Sequence, residues 1–146
     1  MSSFVVSRVV AMDRDAAFAD WIVPARMRTW WWPQWPDTVY RLDARPDRAW
    51  EIRSPSAGAG ISGRYTEVVP GASLGFTWEW DGAERPDRVL VLFSDDRAHA
   101  EDDPEHVVEP SRTEVTVVHV APGRPVVDDH VRGWNDVLDR LPGRIA

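Results

Sequence analysis

Between Pro125 and Leu141 the apolar residues Val127, Val131, Trp134, Leu138 and Leu141 recur at steps of four and three, which gathers all five on one stripe of an α-helix. Asp128 and Asp129 in the first turn suit the positive end of the helix dipole, and Asp128/Arg132 and Asp136/Arg140 are spaced to pair on the wet face. Pro125 can open this helix and Pro142-Gly143 stops it. About sixteen residues at about 1.5 Å each make a rod of about 24 Å, the span of a small domain. Gly133, in mid-helix, costs about 1 kcal/mol against alanine and predicts close approach of a bulky neighbour.

Upstream, the period changes. Phe4 to Val10 reads as a first strand. Asp13 caps a short helix in which Phe18, Trp21 and Ile22 share a face, and Pro24 opens a second in which Met27, Trp30 and Trp31 repeat that spacing until Pro33. Trp32-Pro33-Gln34-Trp35-Pro36 makes a stiff aromatic loop. Six strand-length runs follow, at Thr38 to Asp43, Arg48 to Ser54, Ile61 to Val69, Ser73 to Trp80, Arg88 to Phe93 and Thr113 to Val120. Short connections make them an antiparallel meander, and Leu74, Phe76, Trp78 and Trp80 alternate onto one aromatic face. The predicted fold class is α+β: one domain over residues 1–146, a curved antiparallel sheet wrapped around the long C-terminal helix, with two short helices after the first strand. The acidic stretch 95–110 is expected to form a long mobile hairpin loop.

Composition narrows the function. A length of 146 residues suits one domain with a real core. Without cysteine there are no disulfides or thiolate ligands, and without a long apolar run no signal peptide or membrane span is expected, so a cytoplasmic setting follows. A net charge of −7, no lysine and scattered arginines disfavour nucleic acid as a partner. Nine tryptophans are far beyond ordinary usage and must either build a core or line a pocket.

Several strings together carry a resemblance: Val6-Ser7-Arg8-Val9, Phe18 with Trp21, Arg28-Thr29-Trp30-Trp31, Gly63 to Pro70, Phe76-Thr77-Trp78-Glu79-Trp80, Arg112 to Val117 and Gly133 to Leu138. Through them the chain resembles the START-like (SRPBCC, helix-grip) superfamily, in the branch named after the heat-shock-protein-90 ATPase activator, which also holds polyketide cyclase-like members. Two departures stand out. Where that family usually carries Trp-Trp-Gly-Pro, this chain has Trp31-Trp32-Pro33 and a further Trp35; where a glycine pair is common before the third strand, Asp47-Arg48 stands.

The resemblance places a cavity between sheet and helix, and the residues expected around it are Trp30, Trp31, Trp35, Trp50, Tyr65, Trp78, Trp80, His119 and Trp134. Core filling is the competing reading for at least half of the tryptophans, Trp134 above all, while Trp32 and Trp35 are expected to be partly exposed. His119 is in phase with Val115 and Val117, so its ring points inward; it could be a general base, although a satisfied core histidine is favoured. Tyr65 could offer its hydroxyl to a carbonyl, against a favoured packing role. Glu51 and Arg53 read as solvated. Asp102, Asp103, Glu105 and His106 lack the spacing of a calcium loop, so no metal and no cofactor are expected.

The leading expectation is a binding domain for a small hydrophobic molecule, aromatic or lipid-like, in a tryptophan-lined cavity. Two alternatives come from the resemblance: a cofactor-independent cyclase or aromatase using His119, Tyr65 and an arginine, and a chaperone ATPase-activating partner domain, ranked last. Whether it is an enzyme stays open, with a binding role favoured. Exposed Trp32 or Trp35 would make a homodimer plausible.

Overall fold

The computed structural model describes residues 2–81, 85–96, 111–121 and 128–145. β1 (Ser2–Val10) leads into α1 (Arg14–Ile22) and α2 (Pro24–Met27); then come β2 (Val39–Leu42), β3 (Ala49–Ser54), β4 (Ala59–Val69), β5 (Ser73–Trp80), β6 (Asp87–Asp95), β7 (Thr113–Ala121) and α3 (Asp128–Leu138). The strands form one seven-stranded sheet in the order β1-β7-β6-β5-β4-β3-β2, and every neighbouring pair is antiparallel. The last six strands are thus a simple meander, and β1 joins it beside β7. This is the curved sheet wrapped around a C-terminal helix, with two short helices after the first strand, that the periodicity predicts.

Local chemistry explains the elements. Asp13 accepts a hydrogen bond from the Ala16 N–H at 2.8 Å, capping α1, which buries Phe18 and Trp21. In β6 and β7 every second side chain is buried: Val89, Val91 and Phe93 on one, Val115, Val117 and His119 on the other. An extra residue in β4, between Tyr65 and Glu67, bulges the β4–β5 ladder. α3 buries Trp134, Val137 and Leu138 against the concave face. Arg8 of β1 fixes it from outside through Asn135 Oδ1 at 2.7 Å and Asp139 Oδ1 at 2.9 Å. The predicted pair Asp136/Arg140 forms at 2.9 Å. Val127 and the other residues of 122–127, like the acidic residues 97–110, lie outside the described residues.

Three expectations are corrected. The second helix ends at Met27 rather than running through Trp30 and Trp31. Successive helical side chains lie 100° apart, so three consecutive indoles would fan wider than one buried face; Trp30, Trp31 and Trp32 are all buried because the chain leaves the helix first. Trp32, expected at the surface, is only 7% exposed and has φ of +54°. Gly133 makes no close approach: it is exposed, and a Cβ there would meet nothing within 4 Å.

Among the described residues, Trp32 and Asp47, with φ of +68°, are the two non-glycine residues with positive φ. They stand at the two places where the sequence departs from the glycines of the family it resembles. A bulky indole at such a φ carries strain of about 1–3 kcal/mol.

Candidate functional site: an aromatic cavity under the helix

All nine tryptophans belong to one connected set of rings. α1 supplies Trp21, the following loop Trp30, Trp31, Trp32 and Trp35, the sheet Trp50, Trp78 and Trp80, and α3 supplies Trp134. Trp134 is the hub: its ring lies 5.1 Å from that of Trp78, 5.5 Å from Trp31 and 6.2 Å from Trp21. Offset and edge-to-face contacts of this kind add about 0.5–1.5 kcal/mol per pair beyond the area they bury. At the rim, Trp32 stacks on Trp80 at 6.1 Å, and Trp80 is 38% exposed.

On the β6–β7 side of the hub the polar groups are paired. The Trp134 Nε1–H donates to His119 Nδ1 at 2.9 Å, and His119 Nε2 lies 2.8 Å from Asp87 Oδ2. An indole can only donate, so Nδ1 must offer its lone pair and the imidazole proton sits on Nε2, facing the carboxylate. His119 and Asp87 are at most 1% exposed, and His119 is stacked on Phe4 at 5.1 Å. Both ring nitrogens are committed, which leaves His119 no free lone pair for base catalysis.

On the other side of the hub a small cavity of about 20 Å³ remains. Its wall is Trp21 and Met27 from the helices, Trp31 from the loop, and Leu42, Trp50, Ile52, Tyr65, Leu74, Phe76 and Trp78 from β2 to β5. That volume holds about one water-sized body. Three of these wall residues, Trp21, Trp31 and Trp78, have Nε1 atoms that are buried and without a hydrogen-bond partner. Each unmade bond of this kind costs about 1–3 kcal/mol, and here the three cluster on one cavity.

The fourth indole of the wall, Trp50, is held differently. Its Nε1–H donates to the Thr77 carbonyl at 3.2 Å, and the Arg64 N–H donates to the Thr77 hydroxyl oxygen at 2.9 Å. The β4–β5 ladder skips Gly63 and Arg64 opposite Thr77 and Trp78. A side chain at Gly63 would run into the Thr77 carbonyl, at 2.0 Å from a Cβ. Outside this gap lies an open groove of about 690 Å³, edged by Arg41, Glu51, Arg64 and Glu79. Trp50 borders both groove and cavity.

Titratable groups near the cavity are few. Burial pushes the Tyr65 hydroxyl well above the usual tyrosine range, and the charge of Asp43 adds to the shift. Burial also raises Tyr40, whose hydroxyl donates to the Trp31 carbonyl and so anchors the aromatic loop. Under α1, burial lifts Asp20 above the ordinary carboxylate range despite Arg26 at 2.9 Å, while its carbonyl accepts from Trp30 Nε1 at 3.0 Å.

Of the nine residues expected around a cavity, Trp31, Trp50, Tyr65 and Trp78 stand in its wall. Trp30 and Trp134 lie outside the wall with their N–H groups bonded, Trp35 and Trp80 pack on Trp32 at the edge of the ring cluster, and His119 bonds Trp134. Glu51 and Arg53 pair with each other at 3.2 Å on the outer face. Trp21, Met27, Leu42, Ile52, Leu74 and Phe76 are wall residues that sequence reasoning did not single out; the phase of Leu74 and Phe76 with Trp78 was the available signal. Asp102, Asp103, Glu105 and His106 lie outside the described residues, among which no group of three His, Cys, Asp or Glu gathers as a metal site. No helix among the described residues is long and apolar enough to cross a membrane.

The architecture recurs in solved structures. DynU16, a protein of the dynemicin biosynthetic locus, superposes with a TM-score of 0.74 at 19% identity, over 99% of this chain and 50% of that one. CV1439 from Chromobacterium violaceum gives 0.68 at 18%, over 97% and 95%. PFC0360w, an HSP90 activator from Plasmodium falciparum, gives 0.67 at 14%, over 95% and 92%. Among curated proteins none matches. The family model described as "Activator of Hsp90 ATPase homolog 1-like protein" matches residues 11–146. With that match and the helix-grip architecture together, the chain belongs to the Activator of Hsp90 ATPase homolog 1-like branch of the START-like superfamily.

Proposed function

We propose that this domain binds a small, flat, hydrophobic molecule in the cavity between β2–β5, the two short helices and the aromatic loop, rather than directly against α3. The observation that carries the reading is the space beside the tryptophan cluster, walled by apolar and aromatic side chains, four of them tryptophans. Because the unliganded space is about 20 Å³, a ligand of one or two fused rings must displace a wall side chain. Trp50 is the one suited to yield: it plugs a gap in the sheet ladder, and the groove outside can receive it. Affinity would come from buried apolar area, at about 25 cal/mol per Å².

The cyclase-like alternative needs an inward base or acid. His119 is committed to Asp87 and Trp134, which leaves the Tyr65 hydroxyl as the polar side-chain group in the wall besides the indoles. Binding without turnover is therefore the reading favoured by the geometry. The experiment is a titration of the protein with naphthalene, followed by intrinsic fluorescence and calorimetry, beside an Ile52→Phe variant that fills the cavity. Saturable binding lost in the variant is expected. No binding of any one- or two-ring hydrocarbon, or binding untouched by Ile52→Phe, overturns the reading.

A further inference from the structure

The wall of the cavity is one-sided in its hydrogen-bonding chemistry. Trp21, Trp31 and Trp78, three of the residues that line it, each carry an N–H that is buried and unpartnered, and Tyr65 stands beside them in the wall. No carboxylate, amide or imidazole stands in the wall to accept a bond; the Trp50 N–H is already given to the Thr77 carbonyl. Elsewhere in the same cluster the buried indoles of Trp30 and Trp134 are paired at 3.0 Å and 2.9 Å, so tryptophan packing as such does not force the N–H groups to go unmet. The three unmet donors belong to rings that surround one hub and one cavity.

We infer that the ligand of this cavity is a planar molecule with carbonyl-type acceptor oxygens at its edge, of the quinone or aryl ketone class. This rests on the binding reading above and gives it a chemistry. The indole faces stack on a flat electron-poor ring, and the edge oxygens take the N–H groups of Trp21, Trp31 and Trp78. The unmet side-chain groups of the wall are mostly donors, with the Tyr65 hydroxyl able to act either way, so a ligand rich in acceptors satisfies more of them than one rich in donors. The chain has neither cysteine nor lysine to add covalently to a quinone, so binding can be read without that side reaction.

The test compares 1,4-naphthoquinone with naphthalene, which matches it in shape and lacks the oxygens. Binding is measured by calorimetry on the wild type and on Trp50→Ala, whose cavity is enlarged without touching the three donors. In parallel, protein labelled with 15N at the indoles is followed by NMR, with resonances assigned from single Trp→Phe variants. We expect naphthoquinone to bind about tenfold or more tighter than naphthalene in both proteins. The N–H resonances of Trp21, Trp31 and Trp78 should move downfield, while those of Trp30 and Trp134, already bonded, hold their places. Equal affinity for the two compounds, or a quinone preference without those three shifts, overturns the inference and leaves the hydrophobic site standing. No binding of either compound by either protein overturns both.

Discussion

Two neighbouring parts of one aromatic cluster treat their buried polar groups in opposite ways. On one side of Trp134 the indole, His119 and Asp87 form a closed chain in which each named contact is 2.8–2.9 Å. On the other side Trp21, Trp31 and Trp78 surround a cavity with their N–H groups unmet. A buried network that is fully paired rigidifies a core, and one that is left open at a cavity invites a ligand. The difference separates scaffold from site within a few ångströms, although the residue type on both sides is the same.

The largest effect that would break this contrast is expected at His119. Replacing it with alanine removes the imidazole from a carboxylate that is 1% exposed and empties a stacked position beside Phe4. A loss of about 3–5 kcal/mol in urea unfolding is expected. A matched pair sharpens the comparison: Trp134→Phe and Trp78→Phe delete similar volumes, but only the first breaks a hydrogen bond, the one from the indole to His119 Nδ1. Trp134→Phe should cost about 1–2 kcal/mol more than Trp78→Phe; equal costs would mean that the two sides do not differ. Gly133→Ala, on exposed helix outside both regions, should stabilise by about 1 kcal/mol, since its Cβ meets nothing.

The smallest expected effect is a pH dependence at Asp20, buried and paired with Arg26, yet with its folded pKa raised by desolvation. A raised carboxylate pKa means that the folded state holds the proton more tightly than the unfolded chain. Its contribution to stability is therefore fully present below the unfolded value of about 3.8 and is lost as pH rises through the folded pKa. Stability of the wild type relative to Asp20→Asn should increase on acidification from neutral pH. A flat difference in urea midpoints across that range would contradict the assignment.

Much of the scaffold was legible because periodicity is local. The alternation of Leu74, Phe76 and Trp78, the Asp13 cap and the Trp134–Leu138 stripe each follow from residues a few positions apart. The inward turn of His119 followed from its phase with Val115 and Val117. Its bond to Asp87 did not, because a partner 32 residues away is set by how β6 and β7 align. The burial of Trp32 was missed for a related reason: the sequence showed a glycine lost from the expected turn, but only the backbone shows that tryptophan adopts the left-handed conformation in its place. That three indoles on α1, the loop and β5 share one cavity is likewise a product of tertiary packing, with no spacing to announce it.

The central claim is tested most directly by a crystal structure of the protein grown with 1,4-naphthoquinone. The account predicts the ligand among Trp31, Trp50 and Trp78, with the Trp50 ring moved toward the outer groove and ligand oxygens within hydrogen-bond distance of the unmet indole nitrogens. A ligand seated elsewhere, with the cavity still closed at about 20 Å³, would contradict it.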